Sequence, residues 1–188
     1  YWDWEVLNKI YDFLISSDPV DPAGIDIPWM AKSWTIGTWH PTPTTSATNI
    51  TLSLYDNILW HDNVKFNAQD VNFTLYYHRA AYSPLFFPYV LDWDHCVIHD
   101  DYTITVYYKV QSVWALHWLG GVPIIPKHIW EKIAPANSRT GGEFETTGKL
   151  TGSGPFRFVS KSTQSVLLEA NPTYFRKLVR PDYYTAGQ

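Results

Sequence analysis

Cysteine is almost missing from this chain: Cys96 stands alone among 188 residues, so no internal disulfide can form and cysteine usage leaves the redox compartment open. No apolar run approaches the eighteen or so uncharged residues of a membrane-spanning helix. Basic residues are in the minority, 14 against 18 acidic ones for a formal charge of −4. That balance provides no basic stripe to neutralise a phosphate backbone, which excludes nucleic acid as the expected partner. No G-x-x-x-x-G-K-[ST] loop occurs and no G-x-G-x-x-G follows a strand-like run, so phosphate cradling has no support. The opening Tyr1-Trp2-Asp3-Trp4 has no initiator methionine, basic n-region, apolar h-region or lipid-attachment cysteine. It reads as the start of a processed or excised piece.

Aromatic residues are abundant. Ten Trp, 13 Tyr and 9 Phe exceed what a core alone needs and point to stacking surfaces of the kind that line carbohydrate and peptide clefts. The length suits one domain, or one and a half.

Periodicity predicts a mixed architecture. Trp4, Leu7, Ile10, Tyr11 and Leu14 recur at the spacing of an amphipathic helix over residues 2–14, closed by a Pro- and Asp-rich loop at 18–24. Residues 29–36 read as a short extended piece, 41–46 as a polar connection, and 49–55 as a strand with Ile50, Leu52 and Leu54 on one face. Asn67 followed three residues later by Asp70 is a capping-box signature, and Val71, Phe73, Leu75, Tyr76 and Ala80 supply the apolar face of a helix over 68–81. Ser83 and Pro84 are placed to start a second short helix reaching 91.

Residues 95–99 and 102–110 form an expected hairpin about Asp100-Asp101, the second strand placing Tyr102, Ile104, Val106, Tyr108 and Val110 on one face. Short helices are expected at 113–119, stopped by Gly120-Gly121, and at 127–133 after Pro126. The polar, Gly-rich stretch 137–148 reads as mobile. A last hairpin pairs 154–160 with 165–170. The pattern is α+β, or α/β-like without regular βαβ alternation, and has no internal repeat.

Several clusters invite chemistry. Asp94, His95, Cys96, His99 and Asp100 hold metal-capable groups, but on a strand His95 and His99 share one face while Cys96 takes the other. Asp18, Asp21 and Asp26 lack the spacing of an EF-hand loop. Gly152-Ser153-Gly154 falls short of a nucleophile elbow because Pro155 stands where the helix would begin. His61-Asp62 has no nucleophile beside it. The sequons at Asn49 and Asn72 matter only in a secreted protein of a glycosylating organism. Asp56, Asp62 and Asp70 could serve a glycoside hydrolase as paired carboxylates, yet turns and caps account for them. No catalytic residue, metal site or cofactor is expected.

Residues 54–73 carry something more specific. Leu54-Tyr55-Asp56-Asn57, Trp60-His61-Asp62-Asn63 and Phe66-Asn67-Ala68-Gln69-Asp70-Val71-Asn72-Phe73 follow one another in a fixed order. This segment resembles the L-R-D-G-V-K-W-H-D-G-x-P-F-T-A-E-D-V-x-F pattern of the family 5 extracellular solute-binding proteins of ABC transporters, the dipeptide-, oligopeptide- and nickel-binding type. Asn57 and Asn63 replace glycine there, a mild departure because Asn tolerates the left-handed backbone region. Lys65 replaces proline. Four further segments keep the family's order: Ile10-Tyr11-Asp12-Phe13-Leu14, Pro28-Trp29-Met30-Ala31-Lys32-Ser33-Trp34, Ile125-Pro126-Lys127-His128-Ile129-Trp130, and Gly152-Ser153-Gly154-Pro155-Phe156 with Asn171-Pro172-Thr173-Tyr174-Phe175.

The resemblance implies the N-terminal portion of a type II periplasmic-binding-protein fold, a mixed sheet with flanking helices. It places a small family-specific subdomain at 1–122 and part of the first ligand-binding lobe at 123–188, with the first strand, the export signal and the C-terminal lobe missing. The function it implies is capture of a peptide, or alternatively an oligosaccharide, outside the cytoplasmic membrane for permease subunits of an importer. A monomer is expected, touching the membrane only through the transporter or a missing lipid anchor. The ligand-lining residues it implies are Trp4, Phe86, Trp118, Gly120 and Gly121. Readings of another class are a hydrolase fragment and a sensory or adhesion module.

Overall fold

The computed structural model describes residues 2–17 and 26–176, with side chains from residue 5 onward. The loop expected at 18–24, with Asp18 and Asp21, lies outside them.

A four-stranded antiparallel sheet organises the core. Its strands are β3 (Ala31–Thr42), β4 (Thr45–Leu54), β5 (Trp93–Asp100) and β6 (Thr103–Tyr108), in the order β3-β4-β6-β5. The register opposes Ile50 to Val106 and Leu52 to Ile104. All four side chains are buried at 0% exposure, so the alternation read from the sequence does face the core. Helix α2 (Ala68–Ala80) packs Val71 and Leu75 into the same cluster, which also holds Trp60, Phe66, Met30 and Tyr108. Full burial of each such side chain contributes roughly 1.5–3 kcal/mol.

The capping box forms as expected: Asn67 Oδ1 accepts from the Gln69 N–H at 2.8 Å, and Asp70 Oδ2 accepts from the Asn67 N–H at 3.0 Å. Asp70 Oδ1 also accepts from the Lys127 N–H at 2.8 Å, so one carboxylate holds the starts of α2 and α5 (Lys127–Trp130). Asn63 adopts φ 69°, the left-handed conformation its place in the motif calls for, whereas Asn57 does not.

Helix α1 (Trp2–Ile10) stops four residues before the periodic pattern does. The Ile10 carbonyl accepts from the Gly154 N–H at 2.8 Å and so is unavailable to continue the helix. The chain then runs extended, bridging Phe13 to Pro123, and Leu14 reaches the core from there. Strands β1 (Ile15–Ser17) and β2 (Asp26–Pro28) form a small pair, as do β7 (Phe156–Lys161) and β8 (Val166–Ala170).

Three sequence expectations change. Residues 41–46 are mostly strand rather than connection, since β3 and β4 extend to a tight turn at 43–44; Pro41 is tolerated because β3 is an edge strand. Ser83 and Pro84 start no helix: the Ser83 carbonyl closes turns onto Phe86 and Phe87, and α3 spans only Phe87–Val90. The stretch 137–148 is ordered by a 3₁₀ turn at Pro135–Asn137 and by α6 (Glu143–Thr147), whose Glu143 is buried at 2% exposure. The expected helix at 113–119 appears as α4 (Ala115–Gly120).

Candidate functional site

Between α1, the end of α2, α5, α6 and the β7–β8 hairpin lies a cavity of about 360 Å³. Its walls are largely apolar, with Leu7, Phe86, Trp130, Phe144 and Phe158 among them. Among the described residues seven polar side chains also reach it, Tyr11, His78, Glu143 and Lys161 among them. Tyr11 donates its hydroxyl to Glu143 Oε2 at 3.1 Å, and the Thr151 N–H donates to the same oxygen at 3.0 Å. Burial raises the Glu143 carboxyl above its usual range, and burial together with Glu143 raises the Tyr11 phenol well above its own. His78, on the last turn of α2, is 8% exposed, and burial pushes its pKa down to about 4. The ring is therefore neutral. The backbone of Pro123 lies close to the ring and partly offsets that shift, while Nε2 is buried and has no partner among the described residues.

Two buried clusters hold the elements around this cavity. Asp12 Oδ1 accepts from Trp29 Nε1 at 2.8 Å and from the Tyr174 hydroxyl at 3.2 Å, and Oδ2 accepts from the Ser153 hydroxyl at 3.1 Å. Burial lifts its pKa to about 6 against those three donors and the nearby Arg176 charge. Arg176 lies 3.8 Å over the Trp29 ring and donates to the Pro28 carbonyl at 3.0 Å. His61 clasps the 152–154 loop: Nδ1 accepts from the Gly152 N–H at 3.2 Å and Nε2 donates to the Gly154 carbonyl at 3.1 Å.

The structure distributes the anticipated lining residues. Phe86 lines the cavity with its ring 4.8 Å from that of His78. Trp118 packs on Tyr108 at 5.5 Å, away from the cavity. A side chain at Gly121 would strike the Tyr89 ring, whereas a methyl at Gly120 would only touch Ile15. The side chain of Trp4 lies outside the described residues. Tyr11, His78 and Glu143 escaped the sequence reading. A histidine on a helix and a glutamate in a polar stretch carry no local sign that they turn inward.

The clusters with other candidate chemistry are engaged structurally. His95 stacks on Tyr107 at 4.5 Å and bonds Asp94 at 2.7 Å, His99 Nε2 pairs with Thr105 Oγ1 at 2.8 Å, and Cys96 Sγ accepts from Trp93 Nε1 at 3.3 Å. Among the described residues no three metal-capable side chains converge. Ser153 is occupied by Asp12, and Asp62 receives the Val64 N–H at 3.2 Å in a turn.

The sequence model described as bacterial extracellular solute-binding proteins, family 5 middle, matches residues 27–185, which is most of the chain. The chain belongs to the family 5 bacterial extracellular solute-binding proteins. Solved structures agree on the type II periplasmic-binding-protein fold of this solute-binding protein. NikZ from Campylobacter jejuni in complex with Ni(L-His) superposes with TM-score 0.71 at 23% identity over 90% of this chain and 31% of its own. The oligopeptide-binding protein AppA from Bacillus subtilis, in complex with a nonapeptide, gives 0.71 at 22% identity over 92% and 32%. A periplasmic oligopeptide-binding protein from Thermotoga maritima, bound to mannohexaose, gives 0.66 at 24% identity over 88% and 28%. The chain spans about a third of the length of the structures it matches. No curated protein sequence matches it. The family and these neighbours are binding proteins rather than enzymes, and no helix among the described residues is long and apolar enough to cross a membrane.

Proposed function

We propose that this chain is the N-terminal part of the solute-binding component of an ABC importer, capturing di- or oligopeptides outside the cytoplasmic membrane and handing them to the permease subunits. The observation that carries the reading is family membership joined to a cavity whose aromatic walls suit a solute's side chain. On this reading residues 1–122 are the family-specific subdomain and 123–188 the start of the first lobe. The whole protein closes a second lobe over the solute by a hinge motion, and no bond is made or broken. On this reading Phe86 faces the solute from the cavity wall, and Trp118, Gly120 and Gly121, which do not line that cavity, would with Trp4 meet the solute only elsewhere in the closed cleft of the whole protein.

Native mass spectrometry of the gently purified whole protein tests the reading, with a co-purifying peptide as the expected result. The 188-residue chain alone binds peptides no tighter than about millimolar, since half a cleft cannot desolvate a ligand. A micromolar constant from tryptophan fluorescence would refute that. A second reading, an oligosaccharide solute, is favoured by the mannohexaose bound to the Thermotoga maritima neighbour and by the aromatic content of the chain. A sugar found in the same spectrum would select it.

A further inference from the structure

We propose that the outer face of the four-stranded sheet carries a binding site of its own, a platform on which the pyranose rings of an uncharged glycan stack against Trp39. Trp39 does not line the cavity, and the proposal goes beyond the solute-binding reading.

One side of the sheet packs on the core and the other meets water. On β4 the buried side holds Ile50 and Leu52, so Ala47, Asn49 and Thr51 take the outer side. Over part of that outer side the lining is polar, as a solvated sheet face requires. Thr35, Thr51 and Thr105 face one another across β3, β4 and β6, with Val97 of β5 completing the row. The Thr51 and Thr105 hydroxyls are 2.9 Å apart. Toward the β3–β4 turn the lining changes and three rings gather. Trp39 of β3 meets Tyr107 of β6 at 5.1 Å and His95 of β5 at 5.6 Å, with interplanar angles of 84° and 83°. Tyr107 and His95 stack on each other at 4.5 Å. An indole rooted on one edge strand therefore lies across the sheet to the other edge.

That indole is held from below. Its Nε1 donates to the Tyr108 carbonyl at 3.0 Å. Ala47, paired with Trp39 across β3 and β4, is 0% exposed although it points to the outer side, so the ring covers it. Trp39 itself stays half-buried. Tyr107 and His95 stand perpendicular to it and form a side wall, and the His95 side chain is 46% exposed with Nδ1 bonded to Asp94 Oδ2 at 2.7 Å. Gly37, two residues before Trp39 on the same side, is exposed and adds no obstruction; a Cβ there would strike Asn49 Oδ1. A rigid ring with an amide and an imidazole beside it gives large contact area at little entropic cost.

These parts match a sugar better than an ion or an apolar chain. The ring face meets the C–H face of a pyranose, while Asn49 and His95 can bond the hydroxyls at its rim. Lys109, two residues beyond Tyr107, and Asp94, next to His95, place one charge of each sign beside the rings. The platform has no single-sign field to draw an anion or a cation. The threonine row beyond Gly37 continues the polar surface, which favours a glycan chain over a single sugar.

The test titrates the 188-residue chain with cellohexaose, maltohexaose and mannohexaose at millimolar concentration. Saturation-transfer NMR follows the sugar, and proton–nitrogen NMR follows the Trp39 indole N–H, identified by its loss in Trp39→Ala. Binding of at least one hexaose is expected, with a shift of that resonance. Affinity should fall about tenfold in Trp39→Ala and about threefold in His95→Ala. The exposed His95 keeps the test decisive where Trp39→Ala fails to fold. Binding that survives both substitutions, or that is lost in Phe86→Ala instead, belongs to the solute cavity and overturns the platform. Absence of saturation transfer to all three hexaoses overturns it as well.

Discussion

His61 and Gly152 hold each other at two points: the Gly152 carbonyl accepts from the His61 N–H at 2.8 Å, and His61 Nδ1 accepts from the Gly152 N–H at 3.2 Å. The second bond exists only while Nδ1 carries no proton. Burial accordingly lowers the His61 pKa. Because the folded value lies below the unfolded one, the clasp's contribution is complete above about pH 6.5, and it is lost as pH falls below that. His61→Phe, which leaves the Gly152 N–H unpaired and takes one of two donors from the Gly154 carbonyl, Asn171 Nδ2 remaining at 2.9 Å, is expected to cost roughly 2 kcal/mol at pH 7.5. Urea unfolding across the pH range should show the gap between variant and parent narrowing below pH 6.5.

His78 and Asp12 oppose each other in acid. His78, with a pKa near 4, stabilises the fold above the ordinary histidine range and loses roughly 3 kcal/mol as pH falls to it. Asp12, raised to about 6, works the other way: folding favours its protonated form, so stability declines as pH rises from the ordinary carboxyl range toward 6. Asp70 and Glu143, both raised by burial, share the sign of Asp12. Asp12→Asn keeps an acceptor for Trp29 and Tyr174, and the Ser153 hydroxyl can turn to accept from the new amide. Denaturant titrations should find its stability climbing more steeply with pH between 4 and 6 than the parent's. His78→Phe should show the opposite change in slope.

Asp70 and Asn67 cap the same helix with different reach. Asn67→Ala removes one bond to the Gln69 N–H and is expected to cost about 1 kcal/mol. Asp70→Ala also frees the Lys127 N–H and the Trp60 indole N–H, the latter bonded at 3.4 Å, and should cost roughly 3 kcal/mol. Equal losses in equilibrium unfolding would show that the link to α5 contributes nothing.

Gly152 and Gly154 are glycines because the chain passes directly beneath the end of α1. A methyl at Gly152 would collide with the Ile10 carbonyl oxygen, and one at Gly154 would sit 2.6 Å from the Lys9 carbonyl oxygen. Neither neighbour is a side chain that can swing away. Alanine at either position is expected to destabilise by roughly 3 kcal/mol, which thermal unfolding would register as a clear fall in Tm.

The sequence was most legible where structure is local. Asn67 and Asp70 lie three residues apart, and Ile50, Leu52 and Leu54 alternate, so the cap and the buried face of β4 follow from spacing. The ordered motifs identified the family for the same reason: they are strands, turns and caps. The site was less legible because its partners are distant. Asp12 meets Ser153 across 141 residues and Tyr174 across 162. Glu143 lies in a stretch polar enough to read as solvent-exposed, yet Tyr11, 132 residues away, draws it inward. Phe86 was expected to line a cleft; that the His78 ring packs against it inside the protein depends on tertiary contacts that no spacing rule encodes.

The way the 152–154 loop closes the end of α1 also sets an order of synthesis. Asp12 is synthesised 141 residues ahead of Ser153 and 162 ahead of Tyr174, the residues that receive it. The four-stranded sheet and α2 draw on residues 31–108 and can assemble in between. The contact that stops the first helix therefore links segments far apart in sequence and can form only after the 152–154 loop has been made.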